Sequence, residues 1–163
     1  MIRFTVLATQ RTGSTWLVQM LDSHPLAMAY SELFLDSEQR SPRWGAADSL
    51  LFRSWWKEHP HLGDDEAVAA YLDELWASRR DSTVRAVGFK LMYTQATAHP
   101  RLSGLLRGQM ARVVHLVRAN PLRVLVSREA AVERDLFHAP SDTSLPSYRL
   151  RLPTERLVAR LGE

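Results

Sequence analysis

Residues 4–19 read FTVLATQRTGSTWLVQ. An apolar run, Phe4 to Ala8, gives way at once to Gln10-Arg11-Thr12-Gly13-Ser14-Thr15, and helical patterning takes over from Trp16 to Leu21. A strand that feeds a short Gly/Ser/Thr loop and then a helix has few structural outcomes. It is the first half of a βα unit whose loop faces the free N–H groups of a helix N-terminus, where the helix dipole favours an anion. Gly13 lets the backbone come close, Ser14 and Thr15 add hydroxyls, and Arg11 adds a fixed positive charge.

The rest of the chain repeats the alternation. A first strand over about 3–9 and a helix over about 14–23 end at His24-Pro25. Ala27 to Tyr30 is extended and leads into Ser31-Glu32-Leu33-Phe34. Residues 36–47 read as a loop, Asp48 to His59 as a helix. Asp64 to Arg79 is a stronger helix, with three acidic residues in its first turn and Val68, Tyr71, Leu72, Leu75 and Trp76 on one face. Val84 to Met92 reads as a central strand, Arg101 to Gln109 as a short helix and Arg112 to Val117 as another buried strand. Pro121 to Arg134 is the helix after it, residues 136–148 a loop, and Pro153 opens a last helix to Leu161. Strands separated by helices predict an α/β fold with a parallel sheet covered on both faces. Ligands of such sheets bind at the carboxyl ends of the strands. Three polar clusters follow predicted strand ends: Arg11 to Thr15, Ser31-Glu32, and Arg118-Ala119-Asn120.

At 163 residues the chain suits one domain with a full core. It has no cysteine, which removes disulfides and thiolate chemistry and fits a reducing, cytoplasmic compartment. No apolar stretch approaches the length of a membrane span. The net charge is +3, and Lys57 and Lys90 are the two lysines, so arginine carries nearly all the positive charge. The arginines are scattered rather than clustered, which argues against a dedicated nucleic-acid surface. His24, His99 and His115 lack metal-ligand spacing, so no metal site is expected, and His115, inside a strand, reads as a core histidine.

The loop is not a Walker A motif, which needs a second glycine and a lysine just before the Ser/Thr. The stretch Arg11-Thr12-Gly13-Ser14-Thr15-Trp16, taken with ARVVHLVRANPLRVLVS and YSELF, resembles the sulfotransferases that use 3′-phosphoadenylyl sulfate (PAPS). That family has a first-strand loop of the form [KR]-[ST]-G-[ST]-[ST]-W and, later, a strand ending in Arg followed eight or nine residues on by Ser. Arg118 and Ser127 fit the longer spacing. The order of loop, His24-Pro25, Glu32, Val87-Gly88-Phe89-Lys90 and Arg118…Ser127 is most similar to bacterial carbohydrate-type members such as the Nod-factor sulfotransferases. The resemblance covers about residues 3–130. Family members continue past the helix that opens at Pro153, so the expectation is a single sulfotransferase-like α/β domain over 1–163, P-loop-like and incomplete at its C-terminus.

The resemblance implies transfer of a sulfuryl group from PAPS to a hydroxyl of a carbohydrate, lipid or small-molecule acceptor, leaving 3′,5′-ADP (PAP). It implies that Arg11, Thr12, Gly13, Ser14 and Thr15 hold the 5′-phosphosulfate and that Trp16 stacks on adenine. Arg118 and Ser127 would hold the 3′-phosphate. Glu32 would be the general base, Arg11 would stabilise the leaving phosphate, and Lys90 would lie close to the reacting groups. Elementary chemistry adds that Lys90, a charge inside an apolar strand, needs a partner. Trp44, Phe52, Trp55 and Trp56 offer either an aromatic acceptor surface or core packing. Two alternatives stand beside transfer: a non-catalytic nucleotide-binding remnant, and a basic nucleic-acid-binding domain. Acceptor identity and oligomeric state have no signature in the sequence.

Overall fold

The computed structural model describes residues 1–35, 51–79, 81–134, 149, 150, 155 and 158. The elements in chain order are β1 (Ile2–Ala8), α1 (Ser14–Asp22), β2 (Ala27–Glu32), α2 (Phe52–Glu58), α3 (Asp64–Ala77), β3 (Ala86–Met92), α4 (Tyr93–Ala98), α5 (Leu102–Gly108), β4 (Arg112–Leu116) and α6 (Pro121–Glu133). The chain divides into two compact units. One comprises residues 1–9 and 13–116, the other residues 10–12 and 117–163.

The first unit holds a four-stranded sheet in the order β2-β3-β1-β4, with every pairing parallel. Helices flank it, as the alternating pattern predicts. Side-chain alternation assigns the two faces. Val87, Phe89 and Leu91 of β3 point into the larger core, with Leu72, Leu75 and Trp76 of α3 and Leu102 and Leu106 of α5. Phe4 and Val6 of β1 and Ala29 of β2 point the other way, toward Val18 of α1. Gly88 is required between these layers. A Cβ there would lie 2.4 Å from the Phe4 carbonyl oxygen and 2.5 Å from its ring, so β1 and β3 approach as they do because position 88 has no side chain.

The helices follow local chemistry. α3 opens on Asp64, Asp65 and Glu66 and buries Ala67, Val68, Tyr71, Leu72, Leu75 and Trp76. It stops at Ala77 rather than Arg79, because Ser78 turns to extended backbone and its hydroxyl donates back to the Leu75 carbonyl at 2.7 Å. α2 starts at Phe52. The expected Asp48 start, the loops at 36–47 and 136–148 and the helix from Pro153 to Leu161 fall largely or wholly outside the described residues. In the second unit α6 opens on Asn120, whose side chain accepts from the Arg123 amide at 3.1 Å, with Pro121 at the first helical position.

Three sequence expectations need correction. β3 begins at Ala86, not Val84. A short helix, α4, follows β3 without a loop. And β4 is an edge strand, not a buried one. Among the described residues it pairs with β1 alone, and Val113 is 56% exposed. The run RVVHLV carries β-branched apolar residues, but such a run cannot say whether it sits at the centre or the margin of a sheet. His115 is exposed for the same reason and is no core histidine. Its Nε2 pairs with the Tyr93 hydroxyl.

Candidate functional site

The loop after β1 takes the form the sequence implies. Arg11 has φ 64° and Gly13 φ 91°, both in the left-handed region. Glycine holds that conformation without strain, whereas for Arg11 it costs about 1–2 kcal/mol. Gly13 is the N-cap of α1, and no side chain caps that helix end. The first-turn N–H groups are therefore not satisfied by a local side chain, the arrangement that suits an anion. Ser14 is buried, and Trp16 stands 65% exposed at the start of the helix, so core packing does not explain it.

In the first unit, the polar side chains of interest assemble around Lys90. Its side chain is 3% exposed and its Nζ lies 2.7 Å from Glu32 Oε1. The same ammonium donates to Thr15 Oγ1 at 3.1 Å. Lys90 thus joins the first turn of α1 to the carboxylate that ends β2. The partner that a lysine in an apolar strand requires is Glu32.

A break in strand register makes this pair. Along β2 and β3, Ala29 faces Gly88 and Tyr30 faces Phe89, but the next pair is Glu32 with Lys90. Ser31 is the extra residue of a β-bulge. In unbroken register Glu32 would face Leu91, on the face of the larger core. The bulge turns it to the α1 face, where Lys90 and Thr15 are. Bulges re-aim side chains beside functional sites in this way.

The other oxygen of the carboxylate is held from α4. Gln95 Nε2 donates to Glu32 Oε2 at 2.9 Å, and Gln95 Oε1 accepts from the Met92 amide at 3.0 Å. Gln95 has no signature in the sequence. The N-cap position, Met92, is not the Ser, Thr, Asp or Asn that marks a helix start. A glutamine three residues beyond a strand end is the one available hint.

Arg11, Arg118 and Ser127 come together in the second unit. Arg11 Nε donates to Ser127 Oγ at 3.0 Å, and Arg118 Nη1 donates to the Arg11 carbonyl at 3.0 Å. Burial, and then the neighbouring charge of Arg118, push the Arg11 pKa below its ordinary value. Arg11 on the Ser127 hydroxyl and Arg118 on the Arg11 carbonyl bring two guanidinium charges close together, a concentration of positive charge that favours an anion. Thr12 is half-buried in the same unit.

The aromatic residues separate into two roles. Trp55 is core, with its Nε1 donating to Glu74 Oε2 at 2.7 Å. Trp56 stacks on Phe52 at a centroid distance of 5.6 Å. Trp56 and Phe52 line a cavity of about 350 Å³ with Phe34, Leu35, Arg53 and His99. His99 caps the C-terminus of α4, one turn from Gln95. Trp44 lies outside the described residues.

Among the described residues no group of three His, Asp or Glu side chains is placed to hold a metal ion, and no helix is long and apolar enough to cross a membrane. In chemical terms the first unit offers a fixed carboxylate with a lone pair left on each oxygen, beside an ammonium and an uncapped helix N-terminus. Such a group can take a proton from a hydroxyl. Comparison with known proteins finds no family model, no curated protein and no solved structure that matches this chain.

Proposed function

We propose that this protein transfers a sulfuryl group from PAPS to an acceptor hydroxyl. The observation that carries the reading is the line Thr15–Lys90–Glu32, which ties the first turn of α1 to a carboxylate at the carboxyl end of β2. The motif resemblance supplies the donor. In the reaction the acceptor oxygen attacks sulfur, the bond from sulfur to the 5′-phosphate oxygen breaks, and the acceptor proton passes to Glu32. Charge builds on the departing phosphate, and positive groups fixed in advance stabilise it. The reading gives Thr12 to Thr15 the 5′-phosphosulfate, Arg11 the leaving phosphate, Arg118 and Ser127 the 3′-phosphate, and Trp16 the adenine. Lys90 holds Glu32 in place.

A second reading has its own observation. Both Glu32 oxygens accept a hydrogen bond from the protein, as in an ion pair that only supports the fold. A nucleotide-binding remnant of the same family would look like this and transfer nothing.

Thermal denaturation tests the donor. PAP at about 100 times its Kd stabilises by about 2.7 kcal/mol, which raises Tm by roughly 5–10 °C for a chain of this size. ATP with Mg²⁺ raises it much less. Equal stabilisation by ATP–Mg²⁺ with none from PAP ends the proposal. Transfer of ³⁵S from PAPS to a panel of glycans, lipids and phenols then separates enzyme from remnant, and in an enzyme Glu32→Gln lowers turnover by roughly 10²–10⁴-fold.

A further inference from the structure

Two donors hold the Glu32 carboxylate, and they differ in kind. Lys90 brings a charge to Oε1. Gln95 brings a neutral amide to Oε2. Both come from one continuous segment, the end of β3 and the first turn of α4, so they act as the two arms of a single clamp.

The Gln95 arm is fixed independently of Glu32. Its side chain is buried, and its Oε1 accepts from the Met92 amide. That acceptor role settles which end of the amide is oxygen, because a flipped group would set NH₂ against N–H. The NH₂ end is then committed to Glu32. A carboxylate rotates easily about its last torsion. With an ammonium at one oxygen and nothing at the other, it would turn to give Lys90 both oxygens. The amide opposes that rotation and leaves one lone pair on each oxygen outside the clamp.

We infer that Gln95 is a positioning residue for proton abstraction: it holds the Glu32 carboxylate in the rotation that presents a lone pair to the acceptor hydroxyl. The inference rests on the sulfuryl-transfer reading for the identity of the reaction, and on geometry alone for the clamp. Among the described residues, the groups facing Glu32 are Lys90 from β3 and Gln95 from α4. On α1, Thr15 takes the Lys90 hydrogen bond, and Asp22 Oδ1 accepts from the Ala29 amide farther up β2.

Gln95→Glu is the informative variant. A carboxylate oxygen still accepts from the Met92 amide, so the helix start is kept, but the donor to Glu32 becomes a like charge. Two carboxylates at that distance share a proton, which raises the titration midpoint of the pair. The expected result is a kcat lower by about 10²-fold with KM little changed, and an acid limb of the pH–rate profile moved up by about one unit or more. PAP should raise Tm as in wild type. A purely structural Gln95 predicts wild-type kcat and an unmoved acid limb, and that result overturns the inference. Gln95→Met, which removes the donor without adding charge, should lower kcat and leave the acid limb without the upward shift. A wild-type kcat in this variant also overturns the inference. Carbon-13 titration of the Glu32 carboxyl needs no turnover. An upward shift in Gln95→Glu supports the clamp, and identical titration in both proteins overturns it. A wild type that binds PAP but transfers nothing overturns the reaction instead, and the titration still decides the clamp.

Discussion

Glu32 and Lys90 stand opposite each other on neighbouring parallel strands, Oε1 to Nζ 2.7 Å, because β2 carries one residue more than β3 between Tyr30 and Glu32. The two partners are unequally covered, with side chains 21% and 3% exposed. Removing either one therefore has a different consequence. Glu32→Gln removes the carboxylate charge facing a buried ammonium and should destabilise by about 3–5 kcal/mol. Lys90→Met leaves a partly hydrated carboxylate that Gln95 still holds, and should cost about 1–2 kcal/mol. The double variant should be more stable than Glu32→Gln alone. Urea unfolding of the four proteins gives the coupling directly, and equal losses from the two single variants would contradict the assigned burial.

Arg11 is expected to trade stability for binding. Its pKa is lowered in the fold. A base whose folded pKa lies below its unfolded value destabilises the fold wherever it is charged, and the penalty fades only as pH rises toward the ordinary arginine value. Across pH 5–9 the penalty is constant, so Arg11 should add no pH dependence there. Arg11→Gly removes the charge and suits the φ of 64°, though it loses the hydrogen bond to Ser127. Tm should stay within a few degrees of wild type, by roughly 2–4 °C per kcal/mol, while the Tm rise induced by PAP falls sharply. An undiminished rise in the variant would remove Arg11 from the nucleotide site.

Trp16 offers an exposed indole. Trp16→Ala should change stability by about 0.5 kcal/mol or less and weaken PAP by about 1–3 kcal/mol, the range for stacking on a base. Titration calorimetry reads the affinity, and an unchanged Kd would assign adenine elsewhere.

Gly88→Ala tests the spacing of the sheet. The new methyl meets the Phe4 carbonyl oxygen and ring, so the loss should reach about 3 kcal/mol, the upper part of the range for overpacking. Adding Phe4→Leu should restore only a fraction, because the contact with the carbonyl persists. Full restoration in urea unfolding would show that the ring alone sets the spacing.

Much of the architecture was legible in the sequence because it is local. The β1–loop–α1 unit, the buried stripe of α3 from Val68 to Trp76 and the Asn120-Pro121 start of α6 all rest on neighbours in the chain. What escaped is what depends on distant chain. Arg112 to Leu116 looks like an interior strand by composition, and its place beside β1 alone among the described residues is a matter of topology. Gln95 was invisible because its two partners, the Met92 amide and Glu32, are backbone and a residue 63 positions away. Lys90 announced that it needed a counter-charge. The register break that supplies one has no signature in Tyr30-Ser31-Glu32 themselves.

Ser31 makes no appearance in the chemistry, yet it sets the parity of β2. Deleting Ser31 would bring Glu32 opposite Lys90 with no bulge at all, whereas one more residue with the bulge kept would set the carboxylate opposite Leu91, among leucines and phenylalanines. Loops elsewhere can change length by any count. This strand end should tolerate the loss of its extra residue more readily than the gain of another.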